Sequence, residues 1–258
     1  MASGEGRREK IIEKFLNFYL VLYMDRVEVV SIGYRVAHQW NLLLFTVLAI
    51  TGGALFAIEV LAPLVYAVGA PLAAAVGTDA VTAGVQLFRI AHRFLGHIWG
   101  ALLLVYAVNL LLFKKVRIFD AFRKPLGQQI REAKALAGHY LFGKPLPEDV
   151  KASMERHNVF VAYMALVLIA SVVLLSISGV ALVYRDALGL SLAEARLMLL
   201  LHDVGFALGL LFVALHIFAV LHPTNRPLLN AMFSDGTIPL DWAKTHMPNY
   251  LRRRGIAV

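Results

Sequence analysis

The chain has 258 residues, of which 59% are hydrophobic, and a formal net charge of +8. That is more apolar than a soluble domain, where about half of the residues are apolar, so the composition excludes an ordinary water-soluble enzyme. It contains no cysteine, which excludes disulfides, iron–sulfur clusters and thiolate metal sites within the chain itself. A basic excess in a membrane protein marks the cytoplasmic side rather than a nucleic-acid partner. No cleavable signal peptide is expected: the apolar run Phe15 to Tyr23 has charges on both sides and no small-residue cleavage site after it.

Residues 1–37 form the first segment. A charged start leads to an apolar strip (Ile11, Ile12, Phe15, Leu16, Tyr19), then Asp25, Arg26 and Glu28. This predicts an amphipathic N-terminal helix lying at the membrane interface, or equally a helix that docks a partner. A transmembrane domain follows over residues 38–222. Its first span starts at His38-Gln39-Trp40, with Trp40 at an interfacial aromatic position. It runs to about Leu61, with Thr51-Gly52-Gly53 in the middle. Residues 62–85 are rich in Ala, Gly and Val with Pro63 and Pro71. They either extend the first helix or form an outer-face loop with a short helix, and the prolines favour the loop. The second span covers about Gln86 to Phe113, opening with Arg89, His92, Arg93 and His97.

A polar, basic loop occupies 114–157. Ile130 to Leu141 is expected to form a short amphipathic helix stopped near Gly143 and Pro145. The third span covers about Val159 to Tyr184. Ser191 with Glu194 forms a capping box for the fourth, which ends near His222-Pro223. A basic tail, 223–258, carries Arg226, Lys244 and Arg252 to Arg254 without another span. Only Arg89, Arg93, Arg185 and Arg196 border the two segments opposite the termini. Four spans with that bias predict a multi-pass protein of the cytoplasmic membrane, both termini cytoplasmic.

The last span carries the chemistry. His216 follows His202 by fourteen positions, which in an α-helix is ~21 Å of rise with the two rings ~40° apart. A hydrocarbon core ~30 Å thick therefore places them near opposite faces of one membrane. The orientation gives the other depths: His38 inner, His92 outer, His202 outer and His216 inner. Depth pairs His92 with His202 and His38 with His216. Two imidazoles are too few for a closed zinc site, which takes four ligands, whereas haem needs only two axial ones. Gly52, Gly53, Gly96, Gly100, Gly179, Gly205 and Gly209 offer room for a porphyrin, or equally small-residue helix contacts. His97 competes with His92. It sits five residues deeper and ~140° around the helix, so both cannot face one iron, and His92 lies nearer the depth of His202. His222 is expected to be interfacial. His139, His157 and His246 fall in polar segments.

Several stretches together resemble the cytochrome b (gamma) subunit of membrane-bound formate dehydrogenases and nickel–iron hydrogenases. They are Arg35-Val36-Ala37-His38-Gln39-Trp40 leading to Thr51-Gly52, Arg89-Ile90-Ala91-His92-Arg93-Phe94-Leu95-Gly96, His157-Asn158, Ser178-Gly179-Val180, Leu201-His202 through His216-Ile217-Phe218, and Asp241-Trp242-Ala243-Lys244 with Pro248. The resemblance spans about residues 35–250. It implies an all-α integral membrane protein, a four-helix transmembrane bundle holding two b-type haems, with short cytoplasmic helices. His92 and His202 would hold the outer haem, His38 and His216 the inner. Electrons would arrive from an iron–sulfur subunit attached to a catalytic dehydrogenase or hydrogenase subunit and reduce quinone near the inner haem. Asn158 matches the family's quinone-site asparagine. The Gly-Gln expected shortly after it is replaced here by Val159, Phe160 and Val161. The alternatives are a stand-alone haem b membrane reductase serving a soluble acceptor, and a non-haem transporter or anchor. Of these, a transporter should carry buried carboxylates in its spans, yet Glu59 and Asp203 are almost the only ones present.

Overall fold

The computed structural model describes residues 25–113 and 117–258, so the apolar strip within residues 1–24 lies outside the described residues. In chain order the elements are β1 (Arg26–Glu28), α1 (Ile32–Phe56), α2 (Ile58–Val76), α3 (Ala80–Phe113), a 3₁₀ turn at Asp120–Arg123, α4 (Leu126–Phe142) and α5 (Glu148–Ala152). Then follow α6 (Val159–Val183), α7 (Leu192–Leu221), a 3₁₀ turn at Pro223–Asn225, α8 (Arg226–Phe233), β2 (Thr237–Pro239), α9 (Leu240–His246) and α10 (Pro248–Arg253). Five of the helices, α1, α2, most of α3, α6 and α7, are long and apolar enough to cross a membrane. The chain divides into two compact units, one of residues 36–117 and 164–215, the other of the remaining segments.

The first unit is the apolar one. On α6 the exposed side chains Leu166, Ile169, Val173 and Ile177 recur along one face, while Ser171 and Ser178 are buried. Apolar-out, polar-in is the pattern of a helix solvated by lipid. The helix ends are set by local chemistry. Asp79 precedes α3 and accepts from Thr82 N at 3.0 Å and Thr82 Oγ1 at 2.6 Å. The expected capping box is present: Glu194 Oε2 accepts from Ser191 N at 2.8 Å, and Ser191 Oγ accepts from Glu194 N at 3.3 Å.

The segment 62–85, expected as a loop with a short helix, is instead mostly helical: α2 runs to Val76, a short turn covers 77–79, and α3 begins at Ala80. After a break at Ala57 (φ −125°, ψ 57°), α2 runs through both Pro63 and Pro71 to a left-handed Gly77. Each proline removes one backbone bond, but an irregular loop among apolar side chains would leave many more backbone groups unpaired, so the helix wins. The chain α1–α2 runs antiparallel to α3. Asn41 meets Trp99, Thr51 meets His92, Ala54 shares a buried cluster with Phe88 and Val65, and Gly69 lies against Ala80 and Gly84. The partner on α3 moves steadily back as the chain advances. α2 thus extends the path of α1 along one long helix, the arrangement that the prolines had argued against.

Among its described residues the second unit has two buried clusters. Val27 pairs with Ile238 in the antiparallel β1–β2 ladder, over Val29, Val30, Ala243 and Leu251. Leu136, Leu146, Val150, Met154 and Val159 form the other. The amphipathic helix expected at 130–141 is the core of α4, and Gly143 ends it in the left-handed region (φ 65°). Glu132 on α4 is 2% exposed and accepts from Val159 N at 3.0 Å and Lys124 Nζ at 2.5 Å. The carboxylate therefore ties the 3₁₀ turn, α4 and the first turn of α6 together.

Candidate haem site

Two of the predicted ligands meet. His92 on α3 and His202 on α7 are half-buried, with ring centroids 6.1 Å apart and planes at 77°. A metal between two imidazoles has bonds of roughly 2 Å to each nitrogen, which with the ring radii calls for a centroid separation of about 6 Å. The spacing fits an axial pair.

Each ring is held by a hydroxyl from a neighbouring helix. Thr51 Oγ1 on α1 lies 3.0 Å from His92 Nδ1, and Ser178 Oγ on α6 lies 3.0 Å from His202 Nδ1. Both hydroxyls donate to carbonyls one turn back in their own helices, Val47 at 2.9 Å and Leu174 at 2.5 Å. They therefore accept from the imidazoles, which places the proton on Nδ1 and leaves Nε2 of both rings for a metal. The next residue is glycine in both cases. A Cβ at Gly52 would come within 2.8 Å of His92 Cε1, and one at Gly179 within 3.3 Å of His202 Cε1.

His97 is occupied elsewhere. Its Nδ1 donates to the Arg93 carbonyl at 2.7 Å and its Nε2 accepts from the Tyr184 hydroxyl at 3.2 Å. The glycines divide into two kinds. Gly96 and Gly100 border open space, whereas Gly205 packs on Leu174 and Leu175, and Gly209 on Ser171 and Phe45. The last two are helix-packing residues.

His38 lies in the second turn of α1 and His216 near the end of α7, both half-buried. Asn158 caps α6, its Oδ1 accepting from Val161 N at 3.1 Å. Three of the four remaining histidines have hydrogen-bond partners. His222 Nδ1 accepts from Thr224 N at 3.3 Å, His139 donates to the Lys144 carbonyl at 2.9 Å, and His246 donates to the Trp242 carbonyl at 2.9 Å. Burial, and then the Arg156 and Arg253 cations, push the His157 imidazole down to about 4 against the pull of Asp120. Among the described residues no three His, Asp or Glu side chains converge as a metal cage, so a bare ion has no closed site there.

Sequence reasoning singled out His92 and His202 but not Thr51 and Ser178 as their hydrogen-bond partners. The signal was a hydroxyl residue followed by glycine in the middle of an apolar span, present twice. The family model described as prokaryotic cytochrome b561 matches residues 29–235. The chain belongs to this family. It is the hydrogenase and formate dehydrogenase cytochrome b family that the sequence stretches resembled. No curated protein matches the chain. Membership makes the protein a membrane b-type cytochrome of electron transfer, and the family implies haem b and typically works with redox enzyme subunits. In this cytochrome the donor set facing the gap between α3 and α7 is two neutral imidazoles, which fits haem b and its two axial positions.

Proposed function

We propose that this cytochrome is a dihaem membrane subunit that takes electrons from an iron–sulfur subunit of a dehydrogenase or hydrogenase and delivers them to quinone. Bound haem b supplies a one-electron centre. His92 and His202 would hold one, nearer the outer face. His38 and His216 would hold the other, nearer the inner face. Asn158 uses its side-chain oxygen to cap α6, which leaves its amide N–H groups as donors for a quinone carbonyl. The charge bias supports four crossings with both termini cytoplasmic: α1 and α2 count as one path beside α3, followed by α3, α6 and α7.

The observation that carries this reading is the 6.1 Å spacing of His92 and His202 with both Nδ1 atoms committed to hydroxyls. The reading is tested by reducing the purified, lipid-reconstituted protein with dithionite and adding a naphthoquinone. The b-type absorption should appear on reduction and fade when quinone is added. A protein without b-type bands refutes the haem assignment, and bands that persist with excess quinone refute quinone as acceptor. Copurification of an iron–sulfur protein would identify the donor side.

A further inference from the structure

Thr51-Gly52 and Ser178-Gly179 are two copies of one device on different helices. Each hydroxyl is almost fully buried, Thr51 4% and Ser178 1% exposed, so water cannot substitute for it. Each has spent its own proton on a backbone carbonyl and offers only lone pairs to the imidazole. Each glycine removes the side chain that would push the ring away.

We infer that Thr51 and Ser178 are positioning residues that fix the tautomer and rotation of His92 and His202 and lower the midpoint potential of the haem between them. This rests on the reading of His92 and His202 as axial ligands. An acceptor at Nδ1–H drives electron density to Nε2, makes the ring a stronger donor and favours the oxidised metal. A hydroxyl does so more mildly than a carboxylate, the commoner partner of ligating histidines. The arrangement therefore holds the rings firmly while leaving the centre more easily reduced than a carboxylate partner would.

The test uses Thr51→Val, Thr51→Ser, Ser178→Ala and His92→Ala in the full chain, purified in detergent. Its readouts are haem content, spectroscopic redox titration and the low-spin ferric resonance spectrum. Thr51→Val and Ser178→Ala should keep their haem, shift the low-spin signal and raise one midpoint. The oxidised-to-reduced ratio at fixed ambient potential should then fall by about threefold, roughly 30 mV for a one-electron couple. Thr51→Ser should behave as wild type. Loss of one haem from Thr51→Val with retention in Thr51→Ser supports the inference equally. Wild-type titration and resonance of both Thr51→Val and Ser178→Ala, with haem lost from His92→Ala, would overturn the positioning role alone. Full haem retention by His92→Ala would overturn the ligand reading beneath it.

Discussion

Gly52 places the tightest demand on the sequence around the paired histidines, because a single methyl there meets the edge of the His92 ring. Gly52→Ala should displace that imidazole and lower the haem-to-protein ratio, measured on the purified protein. Gly179→Ala, with a 3.3 Å approach, should lower it less. Gly127→Ala, on α4 away from the paired histidines and meeting nothing within 4 Å, should leave it unchanged. Residue by residue, the histidines were readable because fourteen positions on one helix fix both depth and direction. The hydroxyls were not. A serine or threonine inside an apolar helix ordinarily just bonds its own preceding turn, and only the packing of α1 against α3 and of α6 against α7 shows which imidazole arrives there. Glycine content could not separate Gly96, beside open space, from Gly205, which seats a neighbouring helix.

At the scale of elements, two contacts hold the architecture. α2 reaches α3 through Gly69, whose Cβ would strike the Ala80 carbonyl and the Gly84 backbone. Gly69→Ala should destabilise the pair by about 1–3 kcal/mol, seen as a lower thermal midpoint in detergent, with Gly127→Ala, which meets nothing within 4 Å, as the neutral control. In the other unit, Glu132 joins Lys124 and the first amide of α6. Glu132→Ala strands a mostly buried ammonium and should cost about 3 kcal/mol, read as an earlier transition in denaturant. The span ends at Ser191-Glu194 and Gly143 were readable because caps are local chemistry. The helix α2 was not. Proline argues for a loop in water, and what overrides it is an apolar setting in which unpaired backbone groups are costlier than two missing bonds.

At the scale of the whole molecule, charge and protonation make two predictions. The chain has no cysteine, so single introduced cysteines can be labelled without background. Thr78→Cys or Leu188→Cys should react with an impermeant reagent from one side of the membrane only, and Gln128→Cys or Arg254→Cys from the other; labelling of 78 and 254 from one side would refute the three crossings α3, α6 and α7 between them. His157 sets a pH dependence. Its folded-state value of about 4 lies below the unfolded value near 6.5, so the unfolded chain takes up the proton first. The stability it supports is complete above about pH 6.5 and is lost as pH falls towards 4, by at most about 3 kcal/mol. The wild-type melting temperature should therefore fall through that window more steeply than that of His157→Gln.

The central claim is that four histidines hold two haems in two pairs, and the haem-to-protein ratio tests it most directly. Wild type should give two b-type haems per chain, and His92→Ala, His202→Ala and the double variant should each give one. A wild type holding one haem, or a double variant holding none, would contradict the pairing.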